Sequence, residues 1–335
     1  MTIRYNALLT PYNTFGLPAR AVRLVEIESE QELVQFIQKN KEPLRVLGGG
    51  SNLLLSKDVE ETLLLNQIKG RSIIREDASS LVSFGGGENW HEAVLFALEN
   101  NLGGIENLSL IPGTVGASPI QNIGAYGVEL KDVFEELRAV DLQSGESFLF
   151  RAEDMRFGYR DSIFKQELRG KMMITGVTLR LHHDLHRVRT DYGAIRKTLS
   201  ERGIDHPSIH EVSRAVIDIR RSKLPDPKVL GNSGSFFKNP VLTPEQFGKL
   251  QSRIAEPVHY ALPDGHFKVP AGWLIEQAGW RGKRQGNVGT YEHQALVLVN
   301  HGEATGPEVW AQAQAIQQDV LNKFGIALEP EVNVW

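Results

Sequence analysis

The stretch IPGTVGASPIQNIGAYG, Ile111–Gly127, decides how the rest of the chain is read. It holds Gly113, Gly116, Gly124 and Gly127 and no charged side chain. A surface loop normally carries charge, because solvation favours it. A buried strand normally carries few glycines, because glycine packs nothing and loses the most backbone entropy on folding. A segment that is neither brings bare backbone close to something bound and offers N–H donors in place of side chains. Phosphate and pyrophosphate are the usual guests of such a surface. On the segment alone, a tight connection that only turns corners is an equal alternative.

Two more glycine clusters lie upstream. Leu44–Leu47 reads as a short strand feeding Gly48-Gly49-Gly50-Ser51-Asn52, and Ser80–Phe84 as a strand ending in Gly85-Gly86-Gly87. Folds that alternate strands and helices hold ligands just past such strand ends. Gly48–Asn52 is not a P-loop, since no Gly-Lys-Ser/Thr follows, and Leu53 stands where a dinucleotide fingerprint needs its last glycine. Taken by itself it is better read as a strand-to-strand turn. The three clusters are expected to converge on one ligand. Around them, Ala21–Ile27 has strand character and Ser29 opens a helix with Glu32 at the capping-box position and Leu33, Phe36 and Ile37 on its buried face. Asn89 opens another, whose buried face is Trp90, Ala93, Val94, Ala97 and Leu98. Glu136–Leu142 and Ser147–Arg151 form a hairpin, and Met172–Leu181 is a further strand. The mixture is α+β.

Downstream, Ser208 caps a helix with Val212, Val216 and Ile219 as core positions, and Pro225 stops it. Basic Arg220, Arg221 and Lys223 at its end balance the helix dipole; Lys223 also enters the turn Leu224-Pro225-Asp226-Pro227. In NSGSFFKNP, Asn232–Pro240, Ser235 has small neighbours before it and bulk after it, which suits a hydroxyl held against a substrate. It is not a nucleophile elbow, because Gly-x-Ser-x-Gly needs glycine where Ser235 stands. Thr305 caps the last long helix, with Val309, Ala313, Ile316, Val320 and Phe324 on its face and Gly325 at its end. In Arg156–Ser162, Arg160 can hold a carboxylate or phosphate bidentately, or pair with Asp154 or Asp161 on a solvated face.

The composition bounds the function. The 335 residues suggest two or three domains, and 41% hydrophobic and 23% charged residues are ordinary for a globular protein. A net charge of −4 argues against a general nucleic-acid binder. The chain has no cysteine, which excludes disulfides, thiolate nucleophiles and thiolate-held metal. MTIRYNALLTPYNTFG has no apolar signal core, and no run reaches the length of a membrane span, so a cytoplasmic protein is expected. His182, His183 and His186 have metal-like spacing, but only Asp184 accompanies them; they read as a polar strand end, and no metal is expected.

The glycine clusters, GYRDSIFK (Gly158–Lys165), NSGSFFKNP and the closing LEPEV (Leu328–Val332) occur in an order and spacing that resembles the UDP-N-acetylenolpyruvoylglucosamine reductase family, over nearly the whole chain from Asn13 to Glu331. The resemblance implies an FAD-binding region of two α+β subdomains of the vanillyl-alcohol-oxidase type, residues 1–66 and 67–222. A substrate-binding α+β domain at 223–328 and a segment at 329–335 that returns to the active site complete it. It implies a flavoenzyme of peptidoglycan precursor synthesis, in which NADPH reduces FAD and a hydride then passes to the enolpyruvyl ether of a nucleotide sugar. By position in the motifs, Ser235 is the expected proton donor, and Arg160 and Glu331 the expected stabilisers of the enolate-like intermediate. FAD is expected on Gly48, Gly49, Gly50, Ser51 and Asn52, and on Pro112, Gly113, Gly116, Ala117, Ser118, Gln121, Asn122, Gly124, Tyr126 and Gly127. Tyr192, Lys223, Asn239 and Gln294 are expected to meet the substrate, with Tyr192 in a lid segment, Arg189–Gly193, found in one subgroup of the family. The family is usually monomeric and no coiled-coil heptads appear, so a monomer is expected. Two rivals share parts of this pattern: an alcohol- or sugar-oxidising flavoenzyme on the same scaffold, and a nucleotide-sugar binder without redox activity. Neither needs Arg160, Ser235 and Glu331 together.

Overall fold

The computed structural model describes residues 1–183 and 187–335, in two compact units. One comprises Met1–Ala7, Ala21–Gly49 and Val59–Arg220; the other comprises Leu8–Arg20, Gly50–Asp58 and Arg221–Trp335. Of the histidine cluster, His186 and its neighbour Asp184 lie outside the described residues. His183 uses its Nε2 on the carbonyls of Glu76 and Ser79, at 2.9 and 3.1 Å. Among the described residues no helix is long and apolar enough to cross a membrane.

The first unit opens with strands β1 (Thr2–Leu8) and β2 (Arg20–Ile27), helix α1 (Glu30–Lys39) and strands β3 (Leu44–Leu47) and β4 (Val59–Asn66). They make a sheet ordered β1-β2-β4-β3, in which β4 runs parallel to both β2 and β3. Parallel neighbours need a crossover, and α1 is part of it. The Ser29 hydroxyl accepts the Glu32 N–H at 3.2 Å, as its cap role demands. The reciprocal half of the expected capping box does not form, because the Glu32 carboxylate turns to the Glu28 N–H and the Met1 ammonium instead.

A second sheet follows, from β5 (Arg71–Arg75), β6 (Ser79–Gly85), β7 (Phe134–Asp141), β8 (Ser147–Arg151) and β9 (Met172–His182), with α2 (Trp90–Glu99) between β6 and β7 in the chain. It is antiparallel throughout, in the order β8-β7-β9-β6-β5. Leu33, Phe36 and Ile37 of α1 share a core with Val25, Ile27 and Leu64 of the first sheet and with Val140 and Met173 of the second. Trp90, Ala93, Val94 and Ala97 of α2 share another with Val82, Phe84, Leu137 and Leu179. The unit ends in α3 (Gly193–Glu201) and the start of α4 (Ile209–Lys223), joined through Ile195, Leu199, Val212 and Val216.

The second unit holds an antiparallel sheet of β10 (Gly231–Ser235), β11 (Arg284–Gln285), β12 (Val288–Thr290) and β13 (Val297–Asn300), ordered β10-β13-β12-β11. Two helices, α5 (Ala271–Gln277) and α6 (Gly306–Phe324), pack with it. Thr305 and Glu308 close a capping box on α6, and Gly325, at φ 72°, ends it in the left-handed conformation that favours glycine. Leu53–Leu54 pairs in parallel with Asn333–Val334, so the C-terminal residues lie in a ladder beside the segment that follows Gly50.

Glu88 ties the turn after β6 to β5. Its carboxylate accepts the Gly70 N–H at 3.0 Å and two Arg71 N–H groups at 3.1 and 2.8 Å. Burial pushes its pKa up, but the Gly70 and Arg71 hydrogen bonds outweigh this and hold it below the ordinary 4.5. A depressed carboxylate contributes stability that is present above the unfolded pKa and lost as pH falls through the folded one. Glu88→Gln is expected to cost about 1–3 kcal/mol at neutral pH. It should also flatten the loss of stability below pH 4.5, read from urea unfolding midpoints across a pH series.

Candidate functional site

The glycine clusters of the first unit meet each other. The Gly116 N–H donates to the Gly86 carbonyl at 2.8 Å, and the Trp90 and Val115 N–H groups pair with the carbonyls of Gly113 and Glu88 at 3.0 and 2.8 Å. A Cβ on Gly116 would lie 2.9 Å from Gly86 O and 3.0 Å from Ile174 O, so only glycine admits this approach. Gly85, Gly86 and Gly87 spend their N–H groups on Gly70, Thr175 and Ile68. They are therefore packing glycines, whose N–H groups are used within the unit.

Gly49, Gly113 and Thr114 differ. Among the described residues their backbone N–H groups find no acceptor. They lie together: a Cβ on Gly49 would come within 3.0 Å of the Gly113 Cα, and one on Gly48 within 2.9 Å of the Thr114 hydroxyl. Unpaired N–H groups in a folded chain call for a partner. Bare amides beside a hydroxyl, in a segment without charged side chains, fit the pyrophosphate of FAD. Gly50 opens the second unit's share of the loop at φ 62°, where a Cβ would collide with the Tyr12 carbonyl.

The other expected cofactor residues have mixed employment. Ser118 is buried and gives its hydroxyl to the Val115 carbonyl at 2.7 Å. Asn122, also buried, bonds Glu129, Gly158 and Lys131. Pro112 is exposed, while Ala117 and Gln121 are half-buried. Gly124 and Ala125 pair with Glu129 and Val128 in a short hairpin that ends the stretch.

At that hairpin the structure assembles a cationic and aromatic corner. Arg160 donates from Nη2 to the Gly124 carbonyl at 2.8 Å, and a Cβ on Gly124 would sit 3.3 Å from the Arg160 Nη1. Asp161 engages Gln166, and Asp154 accepts the Arg151 N–H. The Tyr126 and Tyr192 rings meet edge to face, 5.2 Å between centroids. Asn107 donates to both the Tyr126 and Arg189 carbonyls, at 3.0 and 2.9 Å, and Arg189 donates to the Gly127 carbonyl at 2.9 Å. The segment expected to be a lid is thus fastened to the end of the glycine-rich stretch. Tyr126 hydrogen-bonds Arg220, and burial raises its pKa above the ordinary value.

In the second unit, Ser235 ends β10, exposed, and pairs with Val297. Next to it the Phe236 carbonyl accepts the Glu331 N–H at 2.8 Å, and the Glu329 carbonyl accepts the Lys238 N–H at 2.9 Å. These bonds lay Glu331 alongside the Ser235 strand end. Asn52 donates to the Glu331 carbonyl at 3.2 Å, and Ser56 and Leu54 bond Trp335 through the backbone at 2.8 and 2.9 Å. The oxygen of Asn239 accepts the Ala271 N–H at 2.9 Å, and that of Gln294 lies where a Cβ on Gly272 would come within 2.6 Å. Both amides therefore gather at the start of α5 with their NH2 groups unspent among the described residues. Lys223 is exposed, and among the described residues it makes no ion pair.

Sequence reasoning passed over Thr114, Asn107 and Arg220. Thr114 and Asn107 carry no signal apart from their neighbours. Arg220 had one: it follows Val216 by four positions and so falls on the buried stripe of α4.

Comparison with known proteins agrees with this layout. A family profile described as "FAD binding domain" matches residues 18–149, and one described as "UDP-N-acetylenolpyruvoylglucosamine reductase, C-terminal domain" matches residues 226–335. The UDP-N-acetylenolpyruvoylglucosamine reductase of Flavobacterium johnsoniae is 46% identical, with 100% of both chains covered. That of Pseudomonas aeruginosa is 50% identical, with 100% of this chain and 99% of the relative covered. The crystal structure of the reductase from Thermus caldophilus superposes with a TM-score of 0.69 at 25% identity, covering 100% of both chains.

The glycines separate packing from binding. Gly116→Ala, pressed against two immobile carbonyls, is expected to lose about 1–3 kcal/mol of stability and its flavin with it. Gly48→Ala meets only a hydroxyl that can turn away; it should keep its melting temperature and hold FAD about tenfold more weakly. Thermal melts and flavin content after gel filtration check both.

Proposed function

The chain belongs to the UDP-N-acetylenolpyruvoylglucosamine reductase family, and on that premise we propose that it reduces UDP-N-acetylglucosamine enolpyruvate to UDP-N-acetylmuramate with NADPH as reductant. The family is one of FAD-dependent oxidoreductases of peptidoglycan precursor synthesis. Bound FAD supplies the relay of a hydride from NADPH to the enolpyruvyl double bond. The N–H groups of Gly49, Gly113 and Thr114 would hold its pyrophosphate.

This chain's own residues handle the charge and the proton. A hydride added to an alkene conjugated with a carboxylate builds negative charge on that carboxylate, and a fixed cation beside it lowers the barrier. Arg160 is that cation. The other alkene carbon takes a proton from the Ser235 hydroxyl. A serine is a weak acid in water, so the transfer needs near-contact geometry and a charged network around it. Glu331 contributes as a neutral carboxylic acid or by orienting another donor, since a bare carboxylate would repel the developing charge. The observation that carries this reading is the backbone pairing that lays Glu331 beside the strand end bearing Ser235.

For the nucleotide sugar, the unspent NH2 groups of Asn239 and Gln294 and the ammonium of Lys223 are suited to the diphosphate, and Tyr192 to closing over it. We read the protein as a cytoplasmic monomer.

Two measurements test the assignment. Ser235→Ala should leave the bleaching of flavin absorbance by NADPH unchanged. It should slow the return of that absorbance on adding the enolpyruvyl substrate by about 10²-fold or more. Equal slowing of both halves would remove Ser235 from the proton transfer. Tyr192→Phe should weaken substrate binding several-fold and spare bleaching by NADPH; unchanged affinity would count against the lid.

A further inference from the structure

We propose that Asn232 is a positioning residue for the proton transfer: its side chain holds the irregular turn of β10 that sets where the Ser235 hydroxyl points. The inference rests on the assignment of Ser235 as proton donor above and adds the group that fixes its place.

The register of β10 is the starting point. Asn232 pairs with Val299 and Ser235 with Val297, so Ser233 and Gly234 stand opposite the single residue Leu298. This is a β-bulge, which bends its strand and re-aims the side chains that follow. In a regular strand successive side chains alternate between the two faces. Here the alternation breaks. Asn232 and Ser233 are both buried, as are Phe236 and Phe237, while Ser235 between these pairs is exposed. Gly234 makes the turn at φ 71°, the left-handed region that favours glycine, and a Cβ there would meet nothing within 4 Å. Glycine at 234 therefore answers a demand of the backbone, not of packing.

The bulge is held by one side chain. Ser233 is not the one: its hydroxyl is buried with no hydrogen-bond partner among the described residues. Asn232, also buried, uses both ends of its amide. Its Oδ1 accepts the Gly234 N–H at 3.0 Å, and its Nδ2 donates to the Leu230 and Pro225 carbonyls at 2.8 and 3.1 Å. Its backbone N–H donates to the Thr14 carbonyl at 3.0 Å. One end of the side chain thus clasps the bulge. The other ties it to the turn Pro225–Leu230, itself closed where the Val229 and Leu230 N–H groups share the Asp226 carbonyl, both at 2.9 Å. Just past the bulge, the Phe236 N–H donates to the Leu296 carbonyl at 2.9 Å and the Phe236 carbonyl accepts from Glu331 at 2.8 Å. Ser235 is the exposed residue between two fixed points.

The chemistry of the position selects asparagine. Aspartate would keep the acceptor for Gly234 but set a carboxylate against two carbonyl oxygens, and leucine would leave all three partners unpaired. A strand that had only to pair with β13 could do so without the bulge, the glycine or the buried amide. A hydroxyl that must deliver a proton has a use for all three, because its rate depends on near-contact geometry.

The test uses the FAD-loaded enzyme: wild type, Ser235→Ala, and Asn232→Ala and Gly234→Ala, each alone and combined with Ser235→Ala. Flavin content and melting temperature confirm each fold. Three quantities are read: the bleaching of flavin absorbance by NADPH, the Kd of UDP-N-acetylglucosamine enolpyruvate for the oxidised enzyme, and the rate at which absorbance returns when that compound meets the reduced enzyme. In Asn232→Ala bleaching should be unchanged and the Kd should stay within about twofold, while the return slows about tenfold or more. In the Ser235→Ala background the same substitution should cost nothing further, since a positioning residue has no effect once the group it positions is gone. Gly234→Ala, which disturbs the bulge through its φ with room for the methyl group, should show the same split, and it carries the test should Asn232→Ala not fold. Equal slowing of both halves, an unchanged rate of return, or a loss that persists in full without the Ser235 hydroxyl would each overturn the proposal. If Ser235→Ala itself returns as fast as wild type, the proton-donor reading falls and the positioning role with it. If Ser235→Ala is slow and the bulge variants are not, that reading stands and the positioning role alone falls.

Discussion

The first unit depends on one close approach of backbone to backbone, the bond from the Gly116 N–H to the Gly86 carbonyl with Ile174 O on its other side. Side chains cannot mediate a contact this short. It fixes the start of the Ile111–Gly127 stretch against the end of β6, and the flanking bonds of Trp90 and Val115 lock its register. Once the register is set, the N–H groups of Gly113 and Thr114 lie next to Gly49 with no acceptor among the described residues. The donors of the candidate FAD cradle are thus a by-product of glycine packing elsewhere. Glycines 85–87 have their N–H groups used within the unit, and their bare Cα atoms make room for this close approach.

The second unit relies on a different device, pairing across the whole length of the chain. The ladder between Leu53–Leu54 and Asn333–Val334, and the bonds linking Phe236 and Lys238 to Glu331 and Glu329, hold a short terminal segment from two directions. A chain end is normally the first part to fray. Here its carbonyls and N–H groups are used, so Glu331 is placed by backbone bonds rather than by its own side chain. A residue that must keep one orientation toward a reacting group gains from such support, because misplacement by an ångström is costly in rate.

Much of this was legible in the sequence, and the reasons are local. Helix caps at Ser29, Asn89 and Thr305 and the apolar stripes of the helices follow from hydrogen bonding and periodicity within a few residues. The glycine clusters were visible as clusters. Their division of labour was not, because whether an N–H is spent depends on which distant carbonyl faces it. Strand β1 was invisible for another reason: nearly every residue of TIRYNAL is exposed, so no alternation marks it. Glu32 left its capping role because the Met1 ammonium, far away in sequence, competes for the same carboxylate. Asn239 and Gln294 came from family position alone, and their gathering at α5 is a tertiary fact.

Arg220 shows how a sound local rule yields to context. Basic residues at a helix C-terminus balance the dipole, and Arg221 and Lys223, both exposed, fit that account. Arg220 has the same identity and nearly the same position, but 100° per residue turns it onto the buried side. Dipole compensation needs no burial, and burial of a cation with neutral partners is unfavourable. The fold nonetheless holds Leu110, Tyr126 and Arg160 in left-handed conformations around it.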